Sequence, residues 1–211
     1  FILLYCEEIG LNFTTIIVNY FLPFKAEAVS VVKKDFKKVQ IYIGNEERPN
    51  IENYLSSVQM GLWMPLSRAH GKTPREPWQY GDMALKEVKK RINFRHRLVP
   101  YLYHAACQSH QSGIPMIRPL VMEYPKDPIA KIQNLSYMLG DALLISPGFD
   151  RDEYELYLPE GRWQDIESKE VYEGMTFVHI ENKAFADGGT SLRVFQKEGT
   201  SIPLLLKKKY C

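Results

Sequence analysis

The sequence predicts a mixed fold: one helix–strand–loop unit of a (β/α) barrel and a long helix, followed by an antiparallel β-sandwich. Three observations predict it. A short amphipathic period over residues 51–58 runs into an apolar pentapeptide and then a polar loop bearing glycine and proline. A second, longer helical pattern is closed by Gly113. Beyond Gly113 the pattern becomes short β-runs punctuated by turn residues.

Residues 1–48 are rich in Phe, Ile, Tyr, Asn and Lys, with no stable period. They stay unassigned, as a divergent segment or an artefact of a faulty gene model or fusion. Their longest charge-free stretch, Ile9 to Phe24, falls short of the roughly 20 apolar residues of a membrane span. No basic region precedes it, so no targeting segment is read.

From Pro49 the elements are clearer. Ile51, Tyr54, Leu55 and Val58 recur at helical spacing, with Asn50 as the expected N-cap. Leu62–Leu66 reads as a short buried strand, followed by a loop over 67–81. A loop after a barrel strand is where such folds place binding and catalytic groups. In the long helix, Leu85, Val88, Ile92, Val99, Leu102 and Ala106 form the expected buried seam. Asp82 is its expected N-cap, Gly113 its C′ residue, and Pro100 is expected to kink or split it near Val99. His96, His104 and His110 read as surface groups. Expected strands are Met116–Glu123, Ala142–Ser146, Glu153–Leu158, Thr176–Ile180, Leu192–Gln196 and Ser201–Leu206.

Composition narrows the function classes. The 211 residues allow one or two domains. A net charge of +2 gives no electrostatic case for nucleic acid or membrane. Lysine runs at 33–34, 37–38 and 207–209 read as solvated surface. Cys6, Cys107 and Cys211 form neither a disulfide framework nor a metal-ligand spacing, so no metal site is expected, and Cys107 reads as a small core residue. A cytosolic protein fits, and so does a secreted one with few bridges. There is no phosphate-binding glycine loop and no Ser-His-Asp set.

Several ordered blocks carry a resemblance. They are Arg68-Ala69-His70-Gly71 with Pro74-Arg75-Glu76-Pro77-Trp78; Arg95-His96-Arg97-Leu98-Val99-Pro100-Tyr101-Leu102-Tyr103; Gly113-Ile114-Pro115-Met116-Ile117-Arg118-Pro119-Leu120; Met138-Leu139-Gly140-Asp141-Ala142-Leu143-Leu144-Ile145-Ser146-Pro147; Leu158-Pro159-Glu160-Gly161-Arg162-Trp163; and Val194-Phe195-Gln196-Lys197-Glu198-Gly199. In this order they resemble glycoside hydrolase family 31, the retaining α-glucosidases and α-xylosidases. The resemblance covers roughly residues 50–206. It implies the end of a (β/α)8 TIM barrel over 49–113 and the proximal C-terminal β-sandwich over 114–211. It also implies hydrolysis of O-glycosyl bonds in α-glucosides or α-xylosides, an α-linked oligosaccharide or glycoside as the binding partner, and no cofactor.

The resemblance implies that His70 grips substrate. Its imidazole can exchange hydrogen bonds with sugar hydroxyls, or it can tie down the loop. Arg68 lies two residues earlier and would share His70's face of a strand. It would line the same pocket or orient a carboxylate. Trp78 offers a flat face for a pyranose, or a plug beneath the loop.

A retaining glycosidase needs two carboxylates about 5–5.5 Å apart. The family carries both as aspartates in upstream motifs, and another motif, an Asp-Ile-Gly-Gly-Phe-like run, precedes the helix before the final strand; Ile43-Gly44 is at best a remnant of that run. Asp35, Glu46 and Glu47 sit in no such motif, so no catalytic residue is assigned. Asp141 reads as shaping a turn, and Asp165, Glu167, Glu170 and Glu173 read as exposed hairpin residues. The chain therefore reads as a C-terminal fragment, expected to be inactive alone. The alternative is a catalytically dead remnant acting at most as a sugar-binding or structural module.

Overall fold

The computed structural model describes residues 50–67, 69, 73–148, 153–181 and 192–206, so the segment 1–48 lies outside the described residues. Helix α1 (Ile51–Leu62) begins where the sequence places it. Asn50 Oδ1 accepts the Asn53 N–H at 2.8 Å, which satisfies one orphan donor of the first turn. Tyr54, Leu55 and Val58 face Ala84 and Val88 of the long helix.

The expected strand over Leu62–Leu66 is not one. Leu62 ends α1, and the chain curls back on it: Trp63 N–H donates to Met60 O at 3.1 Å and Met64 N–H to Gly61 O at 3.3 Å. A barrel strand is held by hydrogen bonds to its neighbours, and no strand among the described residues pairs with this run. Its apolarity has another cause. Trp63 and Met64 bury beneath the long helix, and a short apolar run does not by itself distinguish strand from buried turn.

A 3-10 turn (Pro77–Tyr80) leads into helix α2 (Gly81–Ser112). Its N-cap position is Tyr80, with no capping side chain; Asp82 lies inside the first turn, where its charge still complements the helix dipole. Gly113 ends the helix in the left-handed region at φ 75°, and its N–H reaches Ser109 O at 2.9 Å.

Pro100 neither splits nor ends α2. A helical proline removes the bond to the carbonyl four residues back and crowds that turn. The carbonyl so freed is that of His96; at the next residue Arg97 O accepts the Leu205 N–H at 2.9 Å, while Arg97 Nε donates to Leu205 O at 3.0 Å. Residues 201–206 are thus an irregular strap across α2 rather than the expected strand. The buried line of α2 is Ala84, Val88, Leu98, Tyr101, Leu102 and Ala105. Leu85, Ile92 and Val99 of the expected seam are 38%, 42% and 48% exposed. Cys107 is half-buried rather than core, and His96, His104 and His110 lie on the surface as read.

The remaining chain forms two antiparallel sheets. Strands β1 (Ile117–Pro119), β2 (Tyr137–Leu139), β3 (Leu143–Pro147), β8 (Leu192–Lys197), β5 (Arg162–Asp165) and β6 (Val171–Glu173) make one sheet in the order β1-β2-β3-β8-β5-β6. Strands β4 (Glu153–Leu158) and β7 (Thr176–Glu181) make the other. Period-two alternation explains the packing. Tyr137, Leu139, Leu143, Ile145 and Val194 face α2, whereas Met138, Leu144 and Phe195 face Tyr154, Leu156, Val178 and Ile180 of the second sheet. Both faces of the larger sheet are covered along β2 and β3, so these strands are buried over their whole length.

The expected strand 116–123 divides. Leu120–Glu123 is a single helical turn, α3, which sends Leu120 into the core between the sheets. Strands β2, β5 and β6 were not anticipated. Asp165 is buried, not an exposed hairpin residue. Its Oδ1 accepts the N–H groups of Glu167 at 2.7 Å and Ser168 at 3.1 Å, and its Oδ2 faces Arg193 at 3.4 Å. Asp141 shapes its turn as read, accepting from Arg118 at 2.8 Å and Gln108 at 3.1 Å. Among the described residues, no helix is long and apolar enough to cross a membrane.

Candidate active-site loop

Of the three residues singled out for binding, Arg68 and His70 fall in sequence between α1 and the 3-10 turn, and Trp78 lies in that turn itself. Arg68 and His70 lie outside the described residues; Trp78 is described and is 64% exposed, so it is not a plug. The feet of the loop are well defined.

At the entry foot, Trp63 and Met64 are buried against α2, with the Trp63 ring 5.5 Å from that of Phe94. At the next residue, Arg95 extends its planar fork to two backbone carbonyls. Nη1 donates to Leu62 O and Nη2 to Pro65 O, the latter at 3.1 Å. Leu62 O belongs to the last turn of α1, whose carbonyls have no intrahelical partner. Burial pushes the guanidinium pKa below its ordinary value, yet it stays far above neutrality as arginine does.

At the exit foot, Tyr54 of α1 donates its hydroxyl to Arg75 O at 3.0 Å. Its ring stacks on Tyr80 with centroids 3.8 Å apart and planes 6° from parallel. Burial raises the phenol pKa to about 12, helped by Tyr80 and Glu76, so it remains a donor at neutral pH. Thr73 Oγ1 and Arg75 Nε are buried here with no hydrogen-bond partner among the described residues.

The sequence reading missed Arg95 and Tyr54. Arg95 stands in the block 95–103 with no role of its own. Its partners are carbonyls, which leave no trace in side-chain patterning. Tyr54 was read as a core residue, which it also is. Among the described residues, no group of three or more His, Cys, Asp or Glu side chains could hold a metal ion.

Two family models match in tandem. The TIM-barrel domain of glycosyl hydrolases family 31 matches residues 36–105, and the C-terminal domain of the same family matches residues 113–207. The 1,6-alpha-glucosyltransferase of Sporosarcina globispora is 32% identical, over 76% of this chain and 13% of the transferase. The human neutral alpha-glucosidase AB is 32% identical, over 74% of this chain and 17% of the glucosidase. The chain thus spans less than a fifth of the length of these curated relatives. Among solved structures, a family 31 dextranase of Flavobacterium johnsoniae complexed with glucose superposes with a TM-score of 0.67 at 32% identity, over 76% of this chain and 20% of that one. An alpha-xylosidase from a soil metagenome has a TM-score of 0.67 at 22% identity, a likeness of fold alone.

Proposed function

The chain belongs to glycoside hydrolase family 31, and from that premise we propose that it forms the closing part of the catalytic barrel, with the adjoining β-sandwich, of a retaining α-glycosidase. The substrate class is α-linked glucosides or oligosaccharides, with α-xylosides as the nearest variant. His70 hydrogen-bonds sugar hydroxyls at the cleaved subsite, Arg68 lines the same pocket, and Trp78 offers its exposed face to a further ring. Hydrogen bonds to a sugar 2-hydroxyl that strengthen in the transition state contribute several kcal/mol in such enzymes.

The reaction needs one carboxylate to attack the anomeric carbon and form a glycosyl-enzyme, and another to protonate the leaving oxygen and later activate water. No acid within 49–206 is given either role. Both are assigned to barrel strands outside that stretch. The observation that carries this reading is the barrel-then-C-terminal order of the two family matches.

Hydrolysis of isomaltose and of p-nitrophenyl α-glucoside and α-xyloside tests it. In the intact enzyme, His70→Ala lowers kcat/KM by roughly a hundredfold or more, as loss of several kcal/mol requires. The 211-residue chain alone gives no turnover. An unchanged kcat/KM in His70→Ala removes the histidine from the site. Turnover by the chain alone overturns the placement of the carboxylates.

A further inference from the structure

Both feet of the loop are tied to its own scaffold, and by different chemistry. At the entry, a cation half-removed from water holds two carbonyls from residues three apart in the chain, Leu62 and Pro65. A planar fork with fixed donor directions suits this task; a flexible ammonium does not reproduce it. At the exit, a neutral phenol fixes Arg75 O, and its own orientation is set by the stack on Tyr80. Each anchor comes from a helix, and the helices pack on one another through Tyr54, Leu55, Val58, Ala84 and Val88. The separation of the two feet is therefore set by helix packing rather than by the loop. Sites supported in this way by rigid elements hold their geometry better than sites left to loops.

We infer that Arg95 and Tyr54 are positioning residues: a two-point clamp that fixes the feet of the loop and so sets how its polar groups meet a sugar. This rests on the reading of the loop as a saccharide-binding element. The clamp itself is a statement about the backbone and can be measured without any sugar.

Hydrogen–deuterium exchange of the intact protein supplies the test, with peptides spanning 62–76 as the readout and peptides spanning 137–147 as the internal control. Arg95→Gln is expected to speed exchange in 62–76 by about tenfold or more while leaving the control unchanged, as loss of charge-assisted bonds predicts. Arg95→Lys restores part of the protection. Tyr54→Phe speeds exchange toward the Arg75 end and spares the Leu62 end. Unchanged exchange in 62–76 for both Arg95→Gln and Tyr54→Phe overturns the clamp. If Arg95→Gln also loosens the control peptides, Tyr54→Phe, which deletes one hydroxyl and keeps the stack, decides the matter. Glucose titrations of the same variants and of His70→Ala separate the two ideas. Glucose affinity unchanged in His70→Ala removes the saccharide reading and leaves the exchange result standing.

Discussion

The sheet half and the helical half of this molecule bury their apolar residues by different means. The two sheets close a core between themselves, in which Leu144, Leu158, Trp163 and Phe195 are fully enclosed. Helix α2 is covered along one arc, by α1 near its start and by the larger sheet further on. Its neighbouring side still presents Leu85, Ile92 and Val99. A helix with apolar residues around more than one face does not choose its own inside; its partners choose it. A sheet whose neighbours lie close in the same chain carries that choice with it.

The sharpest way to break the contrast is to truncate one residue on each side of it. Leu144→Ala removes a fully buried side chain from between the sheets and should cost about 2–5 kcal/mol in denaturant unfolding. Val99→Gln, on the open side of α2, should stay within about 0.5 kcal/mol. A loss above about 1 kcal/mol at Val99 would show that something covers this side of the helix, and the contrast between the halves would fall.

The same contrast explains what the sequence made legible. The β-half was read well where the apolar runs were long: the sequence placed β3, β4, β7 and β8 to within a residue or two. It missed β2, β5 and β6, whose short runs are defined by pairing partners rather than by their own composition. In α2 the helix itself was plain, but the heptad Leu85, Ile92, Val99 drew attention to the wrong arc. Periodicity detects an apolar face and is silent on which face is covered. Leu62–Leu66 failed for the same reason in another form, since strand character is conferred by neighbours. The position of the loop was legible from its glycine and prolines, while its feet depend on side chain-to-carbonyl bonds to which pattern reading is blind.

A smaller effect tests the joint where the halves meet. Tyr101 of α2 donates its hydroxyl to Leu139 O at 2.5 Å and accepts the Ala142 N–H at 3.1 Å, across the turn at Gly140. Burial lifts its pKa to about 12, so it stays a neutral donor. Gly140 has φ +59°, and a Cβ there would stand 2.5 Å from the Tyr101 hydroxyl. Gly140→Ala and Tyr101→Phe should each cost about 1–3 kcal/mol, the first through strain and the second through unpaired buried groups. Made together they should cost less than their sum, because deleting the hydroxyl relieves the clash. Strict additivity in the double-mutant cycle would show that the turn yields independently and that the halves are not joined here.

The smallest effect belongs to the exposed face of the two-stranded sheet, where charge rather than burial does the pairing. His179 Nδ1 lies 2.9 Å from Glu155 and Nε2 lies 3.6 Å from Glu153. The hydrogen bond to Glu155 is the first cause raising the histidine pKa; solvent loss opposes it, and the charges of Glu155, Glu153 and Glu181 add to it. A raised folded-state pKa fixes the sign. The stabilisation is fully present below the ordinary histidine value of about 6.5 and is lost as pH rises through the folded value. The difference in unfolding midpoint between the native protein and His179→Gln should therefore shrink as pH climbs through that window, and shrink again with added salt, because exposed pairs are screened. A difference that stays constant across that pH range would mean that the β4–β7 pairing owes nothing to the imidazolium. The second sheet would then be held by its buried face alone.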